Sequence, residues 1–401
     1  MLLVACCLLP DNGRIGRTAP IRSSPDPLER TDRSLSRIVR ILGDNPMLVV
    51  SGTKLASEIG ASRSQVWRLV QQLRLLGVKI AGHPATGYRL EAVPDLLLPD
   101  VLDPLIKGTI FCGHIHHFFR VGSTNVEAMQ AAQQDEPEGT VFCAEEQTAG
   151  HGRGGHDWHS ERSVGVYLSL VLRPRLAPAD VLALSLLAGL ATAAAVEEVT
   201  GVKPDLRWPN DLLLPRPAHS GEGAGAAEPG PSARPAGVSS GMQEQRKFCG
   251  ILVELNAEAT QVRFAAVGIG VNVNQRAFPP DLAPIATSLR AETGRFWSRV
   301  ELTAALLQSF DREYRALNGA GQPAAAREAL FRRFEQVSSY ARGRRVHVDE
   351  NGGYVGTTAG LDQHGFLLVR TDDGATKTVL SGGVRAIKTS GDPALRDPGI
   401  G

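Results

Sequence analysis

A lysine at the head of an apolar strand, an arginine inside a glycine-rich loop and a Ser-Thr-Asn turn are the residues of this 401-residue chain best suited to chemistry on an anion. The loop, residues 145–158 (EEQTAGHGRGGHDW), places Gly150, Gly152, Gly154 and Gly155 within six positions. Glycine has no Cβ, so backbone N–H groups there approach a bound anion closely. Arg153, His151 and His156 add fixed or switchable positive charge. The run before it, 140–144 (TVFCA), reads as a buried strand. A strand ending in such a loop suits a phosphate that is held during chemistry and then released. Taken alone, a Gly/Arg/His run is more often a flexible surface loop.

Other segments change that balance. Upstream, Ser123-Thr124-Asn125 opens a helix, and Thr124 with Glu127 fits a capping box that presents hydroxyls and an amide at a helix N-terminus. Downstream come Arg207-Trp208-Pro209-Asn210-Asp211, then 247–254 (KFCGILVE), then 268–274 (GIGVNVN). In this order the loop and the downstream segments resemble the catalytic domain of the bifunctional biotin–protein ligase/biotin operon repressor family. The resemblance runs from about residue 33 to 390, apart from one insertion.

The resemblance implies an ATP-dependent, AMP-forming biotin–acetyl-CoA-carboxylase ligase that works in two steps. Biotin's carboxylate attacks the α-phosphate of ATP, and an acceptor lysine of a biotin carboxyl carrier domain then attacks the biotinyl-adenylate. Such transfer needs positioning and charge stabilisation more than covalent participation. By matching to the family, Lys247 contacts the biotin carboxylate and α-phosphate, and Arg153 retains the adenylate. Ser123, Thr124, Asn125 and Gln147, with His151 and Gly152, line the biotin side, where a ureido ring needs paired donors and acceptors. Gly150, Gly155, Asn210, Asp211 and Asn272 fall on the nucleotide side, with Mg²⁺ beside Asn210 and Asp211. Trp208 either stacks on the ligand there or is a core tryptophan.

The chain departs from the family at several of these positions. His151, Gly154 and His156 stand where arginine is common, so retention of the adenylate becomes sensitive to histidine protonation. Arg207 replaces the usual lysine, which keeps the charge and changes its geometry. No resident metal site is expected. His114, His116 and His117 lie on a strand beside aromatic residues, and His151, His156 and His159 sit in a glycine-rich frame too loose for tetrahedral coordination.

The elements that must carry these residues read as α+β. The length allows two or three cored domains, and Lys+Arg 43 against Asp+Glu 42 leaves a net charge of +1, so any nucleic-acid face is local. The five cysteines form no CxxC pair, and Cys143 and Cys249 fall inside apolar strands, which points to a reducing cytosol. Residues 1–32 read as a disordered extension, and no stretch is expected to span a membrane. Residues 33–92 hold a helix, a second short helix, the capping box Ser62-Arg63-Ser64-Gln65 and a two-strand wing. That order is a winged helix-turn-helix, with Ser62, Arg63, Gln65 and Arg68 expected at operator DNA. Residues 94–108 form a linker and 109–341 the mixed-sheet biotin/lipoate ligase catalytic domain. Within it, 215–246 is rich in Pro, Gly, Ala and Ser and reads as a disordered insertion at a loop tip. Residues 342–390 alternate short strands and glycine turns, an SH3-like β-barrel, and 391–401 form a tail.

The reading is thus a cytoplasmic ligase whose winged helix represses transcription as a homodimer when liganded. A lipoate or octanoate ligase, which shares the catalytic architecture, is the alternative enzyme. A repressor that senses biotin without catalysis is the alternative outside enzymes, and retention of Lys247 and Arg153 speaks against it.

Overall fold

The computed structural model describes residues 27–44, 48–83, 86–91, 95–215, 245–319, 323–350, 352–380 and 383–387. Residues 1–26, nearly all of the expected insertion and the 391–401 tail lie outside them. The insertion's edges are narrower than expected, because Pro215 and Arg246 both belong to strands.

The N-terminal unit comprises helices α1 (Pro27–Gly43), α2 (Gly52–Ile59) and α3 (Arg63–Leu75), then strands β1 (Ile80–His83) and β2 (Gly87–Leu90). Its first helix starts at Pro27 rather than 33, as a proline at the first turn followed by Leu-Glu-Arg allows. Leu35, Ile38, Leu42, Leu55, Val66, Val70 and Leu73 close its core. The capping box at Ser62 forms in both directions: Ser62 Oγ accepts from Gln65 N, and Gln65 Oε1 accepts from Ser62 N. Arg63 and Arg68 are exposed on α3, together with Trp67.

The stretch expected as a linker is instead packed. Leu96, Leu98 and Phe119 enter the winged-helix core, while Leu97, Ile106 and Leu102 of the short helix α4 (Pro99–Leu102) enter the catalytic core. Among the described residues, 95–108 are therefore packed rather than a free tether.

The catalytic unit is built on a seven-stranded mixed sheet in the order β3-β4-β5-β9-β8-β7-β6. Its strands are β3 (Ile115–Phe118), β4 (Val141–Ala144), β5 (Gly165–Leu172), β6 (Asp205–Arg207), β7 (Asp211–Pro215), β8 (Gln245–Ala257) and β9 (Val262–Asn272). Only β3 and β4 pair in parallel; the other neighbours are antiparallel. Helix α5 (Thr124–Gln133) covers part of one face through Ala128, Met129 and Ala132 against Phe142, Val171 and Phe264. Helices α6 (Leu182–Thr200) and α8 (Arg299–Asn318) pack with the opposite face, with the small helix α7 (Leu289–Thr293) and α9 (Pro323–Val337) beside them. Residues 178–200 are long and apolar enough to cross a membrane by length and composition alone, and they are mostly buried in the protein core.

The C-terminal unit is an antiparallel five-stranded sheet, β13-β12-β11-β10-β14, formed by β10 (Arg342–Val348), β11 (Tyr354–Leu361), β12 (Leu367–Thr371), β13 (Thr376–Val379) and β14 (Val384–Ala386). Among the described residues no ladder joins its edge strands β13 and β14, so the sheet is not a closed barrel. Trp208 ties this unit to the catalytic one: its buried indole donates to the Gly365 carbonyl at 2.9 Å.

Candidate functional site

The two faces of β8 and β9 differ as alternation dictates. On β9, Ala265, Val267, Ile269 and Val271 enter the main apolar core, so Gly268 and Gly270 fall on the other face. The register places Gly270 between Tyr167 of β5 and Gly250 of β8, and Gly268 between Ser169 and Leu252. Three adjacent glycines therefore make a floor without side chains, and α5 and the glycine-rich loop rise around it. A Cβ on Gly270 would lie 2.5 Å from the Trp158 ring, and one on Gly268 would lie 2.8 Å from Asn125 Oδ1.

Lys247 reaches this floor because of a bulge. Cys249 and Phe248 are consecutive, yet both are fully buried in the core, and the β7–β8 register jumps from Leu212↔Cys249 to Leu213↔Lys247. Phe248 is the extra residue. Strict alternation from Gly250 would have sent Lys247 into the core; the bulge turns it to the glycine face instead. Its Nζ lies 2.6 Å from Asp211 Oδ1 and 5.3 Å from the Trp158 ring centre. Asp211 Oδ2 in turn receives Arg207, with Nη2 at 2.6 Å and Nε at 3.2 Å. Burial pushes the Asp211 carboxyl up, but Lys247 and Arg207 outweigh it and hold it below the usual carboxylate range.

The opposite end of the floor is a neutral polar network at the start of α5. Gln147 Oε1 accepts from Thr124 N at 2.9 Å and from Thr124 Oγ1 at 3.0 Å, and Gln147 Nε2 donates to Ser160 Oγ at 2.9 Å. Ser169 Oγ donates to Thr124 Oγ1 at 2.9 Å. This displaces the expected capping box: Ser123, not Thr124, is the N-cap, and among the described residues it makes no side-chain cap bond. Asn125 Nδ2 donates to Glu254 Oε2, which His151 Nε2 also approaches at 3.6 Å. Asn125 Oδ1 is buried and, among the described residues, has no hydrogen-bond partner. An acceptor left so awaits a donor, since a lone buried polar atom costs about 1–3 kcal/mol.

The cleft between these ends has a volume of only about 50 Å³, with Trp158 lying across Gly250 and Gly270. Ligand pockets span roughly 300–1,000 Å³. The loop that carries Trp158 therefore has to lift before a cofactor-sized molecule can lie on the floor.

Behind the loop sits a buried ionic hub. Arg299 is fully buried and its Nη2 meets Glu145 Oε2 at 2.8 Å, while its Nε lies 3.3 Å from Asp95 Oδ2. His117 Nε2, Leu97 N and Ser163 Oγ also bond Glu145. Burial pushes the Glu145 carboxyl up, but Arg299 and His117 dominate and bring it down to about 2. The next residue, Glu146, binds Arg162 (Nη2 at 2.6 Å), and Arg162 Nη1 donates to the Leu75 carbonyl at the end of α3 at 3.1 Å.

Comparison with known proteins fits each unit. The Biotin/lipoate A/B protein ligase family matches residues 119–274, an HTH domain 34–89 and the Biotin protein ligase C terminal domain 343–384. The chain is 31% identical over 337 residues to the bifunctional ligase/repressor BirA of Bacillus subtilis, covering 82% of this chain and 91% of that one. The chain belongs to the biotin protein ligase family. It is also 30% identical to the biotin–acetyl-CoA-carboxylase ligase of Mycobacterium tuberculosis, over 66% of this chain and 85% of that protein. The biotin protein ligase from Aquifex aeolicus in complex with biotin and ATP superposes with a TM-score of 0.53 at 26% identity, covering 69% of this chain and all of that one.

For a biotin protein ligase, the expected residues divide clearly. Ser123, Thr124, Asn125, Gln147, His151, Gly152, Arg153, Asn210 and Lys247 all line the cleft. Gly150, Gly155 and Asp211 stand just outside it, with Asp211 reaching it through Lys247. Trp208 and Asn272 do not line it: Trp208 is a core residue, and the buried Asn272 amide donates to Thr287 O and accepts from Gln275. Gln65 spends its carbonyl on the cap of α3, so the expected DNA-facing side chain is partly structural. Sequence reasoning missed Trp158, Ser169, Gly250 and Glu254. An aromatic closing a glycine loop, and glycines at alternate strand positions, were the available signals.

A divalent cation does not fit the Asn210–Asp211 pair. Both Asp211 oxygens face cations, Asn210 Oδ1 is 3.5 Å from Arg153 Nη1, and Asn210 Nδ2 holds Ile251 O. Among the described residues no group of three or more His, Cys, Asp or Glu is arranged to hold a metal.

Proposed function

We propose that the protein attaches biotin to a lysine of a biotin carboxyl carrier domain, using ATP and forming biotinyl-adenylate. The observation that carries this reading is the polarity of one cleft: a buried acceptor without a partner among the described residues, Asn125 Oδ1, at one end of a glycine floor and Lys247 at the other. The ureido ring lies at the Asn125 end, its N–H meeting Oδ1, with Ser123 and Thr124 beside it. The biotin carboxylate then points to Lys247. A carboxylate oxygen attacks the α-phosphorus, the bond to the β-phosphate breaks and pyrophosphate leaves. Lys247, Arg153 and the loop backbone stabilise the charge that develops. The carrier's lysine amine next attacks the acyl carbon, an amide forms, the amine loses its proton and AMP departs. Gly150, Gly152 and Gly155 give the loop the freedom to lift and close. Magnesium arrives as counter-ion to the ATP phosphates.

We further propose that the winged helix binds operator DNA through Arg63 and Arg68 of α3, as a dimer once the loop is ordered by ligand. The support is physical continuity: Arg162 joins the Leu75 carbonyl of α3 to Glu146, next to Gln147 of the cleft. A guanidinium at a helix C-terminus is favoured by the helix dipole. Units at about 33–92, 109–341 and 342–390 accompany this reading, the last an open SH3-like sheet curled at the register shifts in β10 and β11. A cytoplasmic setting suits an ATP-dependent enzyme and its carrier.

The test is a mass-shift assay with an isolated carrier domain, ATP, and biotin or lipoate side by side. A biotin adduct on one lysine supports the reading. A lipoyl adduct with no biotin adduct assigns the alternative ligase, and no adduct refutes catalysis.

A further inference from the structure

We infer that Asp211 is the positioning residue of Lys247, itself clamped by Arg207, and not a ligand for magnesium. The inference rests on the ligase reading above and assigns a role within it. Bulges aim a side chain but do not fix its far end, and lysine carries its charge on a flexible four-carbon stem. Here the far end is fixed. Lys247 Nζ sits 2.6 Å from Asp211 Oδ1, under the Trp158 ring, and in the space a Cβ on Gly250 would enter at 3.1 Å.

Asp211 is itself held on both sides by the sheet. It opens β7, pairs with Arg207 across the tight turn from β6, and pairs with Gly250 of the floor on its other side. Its register thus ties the carboxylate to the strand on which the cleft is built. Each oxygen has its own cation, Oδ1 for Lys247 and Oδ2 for Arg207. A magnesium ion bound here at about 2.1 Å would stand against two fixed positive charges in a partly buried site, where repulsion is weakly screened.

The second cation is needed by simple charge arithmetic. Lys247 with Asp211 alone is a neutral pair and offers little to a carboxylate or phosphate. Lys247, Arg207 and Asp211 sum to one net positive charge, so the ammonium is held in place without its field being cancelled. The chain's arginine at 207, in place of the lysine common in the family, serves this by reaching Oδ2 through two nitrogens.

Two measurements on the full-length protein test this. In biotin-dependent pyrophosphate release, Asp211→Asn is expected to lower kcat at least thirtyfold, with the half-saturating free Mg²⁺ unchanged within twofold. Arg207→Gln is expected to lose tenfold or more, mainly as a higher KM for ATP, and Arg207→Lys to restore activity to within about threefold. A large rise in the Mg²⁺ requirement of Asp211→Asn, with kcat recovered at high Mg²⁺, would overturn the inference in favour of a metal ligand. Near wild-type kcat in Asp211→Asn together with a near wild-type KM for ATP in Arg207→Gln would overturn it outright. The second measurement needs no turnover: acetic anhydride labelling of ligand-free protein, read at the Lys247 peptide. Asp211→Asn should expose Nζ and speed its acetylation at least fivefold, and unchanged labelling contradicts the clamp whether or not the protein is a ligase. A wild type that releases no pyrophosphate with biotin refutes the ligase reading alone, and the labelling result still decides the clamp. If Asp211→Asn does not fold, Arg207→Gln against Arg207→Lys carries both measurements.

Discussion

The two faces of β8 and β9 are made by the same strands, one residue apart, and they do opposite work. One face is Val, Ile, Leu and Ala at near-zero exposure against α6 and α8. The other is bare at Gly250, Gly268 and Gly270, and polar groups gather above it. Apolar burial on the first face stabilises the fold, at about 25 cal/mol per Å². Removing side chains from the second gives up that burial in return for room. The bulge at Phe248 is the point beside the floor where the faces exchange a residue, and it delivers the cation. Function and stability are thus separable along one strand, because the β8–β9 register runs unbroken from Cys249 to Asn256, across the floor.

The sharpest way to break this separation is to remove what the bulge delivers. Lys247→Ala is expected to reduce pyrophosphate release by about 10²–10³, on the scale of losing one charge-stabilising donor, with the melting temperature little changed. A proportional fall in stability would mean that Lys247 is a core residue after all. A second perturbation acts behind both faces, at the Glu145–Arg299 hub. Glu145 is held at about 2 against an ordinary 4.5. Because its folded value is depressed, its contribution is present above 4.5 and is lost as pH falls toward 2; a shift of that size is worth about 3 kcal/mol. Glu145→Gln should flatten the acid limb of a urea-stability profile between those values, whereas an unchanged limb would show that other carboxylates govern it. The smallest effect is expected where neither face is touched. Pro215 and Gln245 are antiparallel neighbours, so replacing 216–244 with a short Gly/Ser turn should leave labelling rates within about twofold. A large loss would place that segment at the site or the carrier.

Much of this was legible in the sequence, for reasons that differ by residue. The α3 cap was readable because Ser62 and Gln65 are three apart and need nothing distant. The cleft residues 123–125, 147, 151–153, 210 and 247 were readable because family resemblance carries their order. What was misread or left open depended on partners far along the chain. Thr124 forms no capping box because Gln147, 23 residues on, takes both its N–H and its hydroxyl. Trp208 belongs to the core because the carbonyl it needs is at Gly365, 157 residues away. Arg299 opens α8 with its charge buried against Glu145 and Asp95, partners more than 150 residues away that no local pattern announces. The bulge itself was invisible, since it exists only in the register between β7 and β8.

The separation of the two faces is tested most directly by two neighbours on β9, Gly268 and Val267. Calorimetric titration of biotin and urea unfolding would be run on Gly268→Ala and Val267→Ala together. A Cβ on Gly268 meets Asn125 Oδ1 at 2.8 Å, so biotin affinity should fall at least tenfold with little change in stability. Val267 is fully buried in the core, so its truncation should cost ~2 kcal/mol of stability and leave biotin affinity intact. If Gly268→Ala binds biotin as tightly as wild type, or if Val267→Ala loses affinity in step with stability, the two faces are not divided as described.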